Sequence, residues 1–228
     1  PGFRDRVWAR ADQAASRKGR AVVLLDEVHQ LSHWASRLKG EWDRIRRARL
    51  AINIVATGSS SLRLAAGSRE TLAGRFERIT LSHWTAAALA GVFGLSPSQA
   101  VDTAVRWGTY PGALSFRRDP ARRLAYIRDA IAEPAIGRDL LALGPIRKPG
   151  LLRQVFGVAV SSPAQIVSLA KIQGHLQDPG ALETIAHYLS LLEEAFLVSA
   201  LEKFSPRPAR QRAAPPKLVV LSNGLLAA

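Results

Sequence analysis

Two short, unbroken apolar runs, separated by one amphipathic segment, constrain this chain more than any other feature. Ala21-Val22-Val23-Leu24-Leu25 shows no alternation of polar and apolar residues. Such a run predicts a strand buried on both faces, as in a parallel sheet covered by helices. Trp34, Leu38, Trp42 and Ile45 then recur at steps of four, four and three, which predicts a helix. Leu50-Ala51-Ile52-Asn53-Ile54-Val55-Ala56 is a second buried strand, closed by Thr57-Gly58-Ser59-Ser60-Ser61. Strand, helix and strand at this spacing form a βαβ unit of an α/β layered domain. Upstream, Phe3, Val7, Ala11 and Ala14 predict an amphipathic helix over 3–18, stopped by Lys18-Gly19-Arg20.

After about residue 80 the pattern becomes helical. Segments 84–92, 97–106, 119–143 and 149–160 are predicted helices, with Gly108-Thr109-Tyr110-Pro111-Gly112 as a break between two of them. Pro163 is expected to open a short helix carrying Ile166, Leu169 and Ala170, followed by a turn centred on Gly174. Pro179-Gly180 opens a longer helix in which Leu182, Ile185, Leu189, Leu192 and Phe196 make one buried stripe. Phe196-Leu197-Val198 and Lys217–Leu221 read as strands, flanking a Pro/Arg/Ala loop over 205–216. Helix, turn, helix and a two-stranded ribbon is the order of a winged helix.

Composition removes several classes of function. Cysteine is absent, so disulfide scaffolds, thiol catalysis and thiolate-bound zinc are excluded. No apolar run approaches the roughly 18 residues of a membrane helix, and no signal peptide is visible, so the expectation is a soluble, cytoplasmic protein without a membrane partner. With 32 Lys+Arg against 18 Asp+Glu the formal charge is +14, compatible with a nucleic-acid partner. An Arg- and Ala-rich composition is equally what GC-rich coding produces. Methionine is also absent, even at position 1, and the last residues stay apolar, so both ends read as cut from a longer chain.

The chemistry concentrates where the first strand ends. Side chains at the C-terminal end of a parallel strand emerge into the crevice where α/β sheets bind ligands. There Asp26 is suited to hold Mg²⁺ and Glu27 to polarise a water attacking a γ-phosphate. An acidic turn after a buried strand is the plainer alternative. Thr57 and Ser59 close the second strand at the same edge, where hydroxyls sense a γ-phosphate; a Ser-rich helix cap is their alternative. Arg75, after the small-residue turn Leu72-Ala73-Gly74, is a candidate arginine finger toward a neighbouring subunit, or a surface arginine.

Taken together, Leu24-Leu25-Asp26-Glu27-Val28-His29, Ala56-Thr57-Gly58-Ser59-Ser60-Ser61 and Leu72-Ala73-Gly74-Arg75 resemble the prokaryotic AAA-type ATPases of the DUF4143-associated family. The resemblance continues through Gly108–Leu114, Gly137-Arg138-Asp139-Leu140 and Tyr188–Val198. It implies an α/β fold with an incomplete parallel P-loop-type sheet, a helical lid and a winged-helix domain. The corresponding spans are 1–82, 83–145 and 146–228. It further implies ATP and Mg²⁺ as cofactors, Asp26 and Glu27 as a Walker B pair, Arg138 as a lid cation at the nucleotide, and assembly into a homo-oligomer. Two departures stand out. The family's Gly-x-x-x-x-Gly-Lys-Ser/Thr loop has no counterpart, and Ser222 occupies the place of an expected Asp. As written, the chain is expected to hydrolyse ATP poorly, and its longer parent to hydrolyse it.

Two rival readings remain. One is a non-enzymatic basic DNA-binding or regulatory protein on a degenerate ATPase scaffold; in either reading Thr184 and His187, on the outer face of the long helix, and Arg210 and Arg212 in the loop are the candidate nucleic-acid contacts of the winged helix. The other is a metal-dependent hydrolase using Asp26, Glu27 and His29, with His33 one turn on as a further ligand.

Overall fold

The computed structural model describes residues 3–58, 72–141, 146–206 and 214–226. They fall into two compact units, which divide between Ile79 and Thr80.

In the first unit α1 (Phe3–Lys18) leads into β1 (Ala21–Leu25), α2 (Trp34–Arg47) and β2 (Ile52–Ala56). β1 and β2 pair in parallel, with Ala21 opposite Ile52 and Leu25 opposite Ala56. In this register Ala21, Val23 and Leu25 share a face with Ile52 and Ile54, because strand side chains alternate. That face packs with Ala11 and Ala15 of α1 and Ile45 of α2 into one core. Arg44 of α2 clamps the two helices together, donating from Nη1 and Nη2 to Asp12 at 2.8 and 3.1 Å and from Nε to Glu41 at 2.8 Å. These carboxylates hold the guanidinium even more firmly protonated than usual.

Burial of the strands on both faces is corrected by the structure. Val22, Leu24 and Val55 on the opposite face are 59%, 74% and 47% exposed. An apolar run states that a strand tolerates burial on each side. It does not supply the second layer, and α1 and α2 both contribute to the same core.

The second unit starts with α3 (Ala86–Phe93) and α4 (Pro97–Trp107). Thr85 caps α3 by accepting from the Ala88 amide, and Ser96 with Gln99 forms a reciprocal capping box for α4. α5 (Pro120–Ile127) continues through π-helical turns at Arg128–Ala132 and Ala135–Leu140. The single helix expected over 119–143 thus contains Pro134, which has no amide hydrogen and crowds the carbonyl four residues back. Widened turns on either side accommodate it.

α6 (Pro149–Ser161), α7 (Leu169–Gly174) and α8 (Leu182–Glu194) follow. β3 (Val198–Leu201) then pairs antiparallel with β4 (Lys217–Val220). Pro163 does not open α7, as expected from sequence; Ser168 does, its hydroxyl accepting from the Lys171 amide. Ile166 instead forms a β-bridge with Lys217. Phe196 likewise leaves the helix stripe, turning the chain into β3 with φ +56°. Leu152, Ile185, Leu192 and Leu218 are fully enclosed in this half.

Candidate functional site

Asp26 and Thr57 lie side by side at the C-terminal edge of the β1–β2 sheet. The Thr57 hydroxyl donates a hydrogen bond to Asp26 Oδ1. Backbone pairing carries the two strands past their ends to hold this contact. The Thr57 amide donates to the Leu25 carbonyl at 2.8 Å, and the Val28 amide donates to the Thr57 carbonyl at 3.1 Å. Asp26 and Thr57 are exposed, whereas Val28 just below is buried. The pair is therefore anchored from beneath and open above.

Strain marks the same edge. Glu27 and His33 adopt left-handed backbone conformations, φ +50° and +54°, on either side of a single 3₁₀ turn at Val28–Gln30. For non-glycine residues this costs on the order of 1 kcal/mol each. Glu27 is half-buried. Such outliers persist where the surroundings over-determine them, and they cluster at functional sites.

The remaining expected residues are distributed as follows. Ser59 lies outside the described residues. Arg75 Nε pairs with Asp43 of α2 at 3.4 Å, and Arg75 Nη1 donates to the Ala73 carbonyl at 3.2 Å. Asp43 is nine residues along α2 from Trp34, about 13 Å down the helix axis from the strand-end edge. The structure thus brings Thr57 to Asp26 but leaves Arg75 engaged with α2. Arg138, in the second unit, is exposed and pairs with Asp139 at 3.0 Å.

A lone exposed carboxylate beside a hydroxyl suits Mg²⁺, which keeps several waters and takes one or two protein carboxylates together with phosphate oxygens. A multi-residue protein cage does not occur: among the described residues no group of three or more His, Asp and Glu side chains is placed to hold a metal. The alternative of a protein-caged metal at Asp26, Glu27 and His29 gains nothing from this, and the His29 side chain lies outside the described residues. The fit to a nucleotide is one-sided. Asp26 and Thr57 suit the metal end, but no Gly-x-x-x-x-Gly-Lys-Ser/Thr segment occurs in the 228 residues to cradle the phosphates.

In the second unit His187 is exposed on α8, whereas Thr184 is half-buried and stacks one and two turns before buried Tyr188 and Leu191, so the outer face expected of it is corrected. Arg210 and Arg212 lie outside the described residues.

Sequence reasoning missed one tight crossing. Ser222, 2% exposed, accepts hydrogen bonds from the Thr109 amide at 3.1 Å and the Thr109 hydroxyl at 3.2 Å. Gly108, at φ +86°, lies so close that an added Cβ would sit 2.7 Å from Ser222 Oγ and 2.8 Å from Gly224 Cα. The serine standing in place of an expected Asp is thus an acceptor that fastens the Gly108–Gly112 segment. Beside it, a cavity of about 240 Å³ is lined by His83, Trp84, Tyr110, Ile131, Ala135 and Phe196, among others. His83 Nε2 donates to the Phe196 carbonyl at 2.7 Å, and burial pushes the Tyr110 phenol up to about 12. The only hint in sequence was the glycine density around Tyr110.

Comparison with known families gives two successive matches, the first of which runs ten residues past the Ile79/Thr80 division into α3. Residues 4–89 match the family described as "AAA domain", and this stretch is an AAA-type domain with a mixed α/β fold. Residues 98–228 match the family described as "Domain of unknown function (DUF8612)", and the chain belongs to that family. This is a different domain from the one expected by resemblance. No curated protein and no solved structure matches the chain. Among the described residues no helix is long and apolar enough to cross a membrane.

Proposed function

We propose that the first unit is the magnesium-binding half of an ATP-binding AAA-type ATPase, coupled to a winged-helix module in the second. The observation that carries this reading is the Thr57–Asp26 hydrogen bond at the C-terminal edge of a parallel strand pair. Asp26 would hold Mg²⁺, whose charge offsets that of the phosphates when bound. The Thr57 hydroxyl fixes the orientation of that carboxylate. In this reading Asp26 and Glu27 form a Walker B pair, with Glu27 accepting the proton of the attacking water. Ser59 is a further contact toward the γ-phosphate. Arg75 acts toward a neighbouring subunit of a homo-oligomer, and Arg138 acts from a helical lid spanning 83–145.

The winged-helix part of the proposal, over 146–228, is supported by element order. α6 precedes the bridge-forming Ile166, then come α7, α8 and the antiparallel β3–β4 ribbon, with Ile166 adding to β4 at Lys217. Likeness to the DUF4143-associated ATPases belongs to the same proposal. DNA contact by Thr184, His187, Arg210 and Arg212 is the expectation that accompanies it.

Turnover of ATP by the complete gene product tests the reading. Glu27→Gln should lower turnover at least a hundredfold while ATP still binds, in the range expected for losing a positioned general base. Equal hydrolysis by mutant and wild type would remove Glu27 from the mechanism.

A further inference from the structure

The densest unassigned charge in the first unit sits at the edge of the β1–β2 sheet opposite Asp26 and Thr57. Topology puts it there. α1 ends at Lys18 just before β1, and α2 ends at Arg47 just before β2. The strands are parallel, and the Ala21 amide donates to the Ala51 carbonyl at 2.9 Å, so the two strands start side by side. Both helices therefore deliver their last turns to one edge. Arg17, Lys18 and Arg20 come from the first connection, and Arg46, Arg47 and Arg49 from the second; all six are exposed.

No carboxylate answers them locally. Residues 13–20 and 44–51 contain no Asp or Glu. Among the described residues the ion pairs use Arg44 but none of these six. Arg47 donates to the Asp43 carbonyl at 3.2 Å, and the Arg46 guanidinium lies 5.7 Å from the Trp42 ring centroid. One or two cations at a helix C-terminus complement its dipole, which is equivalent to about half a charge. Six across two ends exceed that need. Arg49 is also held against its own preference, at φ +52° after α2, whereas Gly19 at φ +75° takes the matching place after α1.

We propose that this edge binds the phosphodiester backbone of a nucleic-acid duplex without reading its sequence. Five of the six cations are arginines, whose planar forks match phosphate oxygens. An anionic bilayer fits less well, because residues 16–20 and 46–51 offer no exposed large apolar side chain to enter lipid. Neither Asp26 nor Thr57 takes part, so the inference stands apart from the nucleotide reading.

Fluorescence anisotropy of a labelled DNA duplex of about 20 base pairs, titrated with the 228-residue chain between about 50 and 200 mM salt, tests it. The joint variant Arg17→Gln, Arg20→Gln, Arg46→Gln, Arg49→Gln should weaken binding at least tenfold at low salt. Each lost phosphate contact should lower the log–log salt slope by about 0.9, so losing all four should lower it by up to about 3.6. Lysine at the same four positions should keep the slope, which separates lost charge from a damaged fold. An unchanged slope and affinity in the glutamine variant would overturn the proposal. Abolition of binding by Arg210→Gln with Arg212→Gln alone would do the same. So would capture by phosphatidylserine vesicles with no binding to the duplex.

Discussion

At the scale of single residues, Thr57 lies 31 positions beyond Asp26 yet donates to its carboxylate, because the parallel register places the two strand ends at one height. The second instructive residue is Gly108. Its left-handed φ and the close approach of Gly224 leave no room for a Cβ, so Gly108→Ala should destabilise the second unit by roughly 2–4 kcal/mol in denaturant unfolding. Ser222→Ala strands the Thr109 amide without its acceptor and should cost about 1–3 kcal/mol. A loss below about 0.5 kcal/mol in either variant would contradict the crossing. Tyr110 titrates in the direction its burial dictates. Its folded pKa is raised from about 10 to about 12, so the folded chain holds the phenolic proton more tightly than the unfolded one. The stability this contributes is complete below pH 10 and is lost as pH rises from about 10 through 12. Absorbance of tyrosinate against pH checks this: Tyr110→Phe should remove a component that ionises near pH 12.

At the scale of elements, the sheet is sided. Ile45 is 1% exposed under β1 and β2, so Ile45→Ala should cost about 2–5 kcal/mol. Leu24→Thr on the open face, where Leu24 is 74% exposed, should cost less than about 0.5 kcal/mol. If chemical denaturation ranks these two the other way round, the assignment of faces is wrong. Much of this level was legible beforehand. The span 3–18 for the first helix and 21–25 for the first strand match the structure, because Gly19 stops one and an unbroken apolar run defines the other. The Trp34–Ile45 spacing likewise gave α2. What pattern alone misplaced has local causes. Ser168 outcompetes Pro163 as the start of α7, since a hydroxyl satisfies an orphan amide and a proline only tolerates the position. The sidedness of the sheet was invisible because burial depends on layers far away in sequence. At the site, the Asp26-Glu27 strand end was readable from the run before it, and Thr57 from the second strand. The Arg75–Asp43 pair and the Thr109–Ser222 contact are tertiary, and nothing in spacing announces them.

At the scale of the whole molecule, the +14 charge does not act as a uniform field. Acidic side chains on α1 and α2 absorb Arg44 and Arg75, while the last turns of both helices carry cations with no carboxylate nearby in sequence. Each compact unit also has its own core. Calorimetry is therefore expected to resolve two transitions, with Ile45→Ala lowering one and Leu152→Ala, at a fully enclosed site, lowering the other. A single transition moved equally by both variants would contradict separate cores. The nucleotide reading turns on Asp26 as the carboxylate that meets magnesium. ATP affinity of the complete gene product, measured with and without Mg²⁺ for wild type and Asp26→Asn, tests this most directly. Mg²⁺ should tighten binding to the wild type and leave binding to Asp26→Asn unchanged; an equal magnesium effect on both proteins would contradict that role for Asp26.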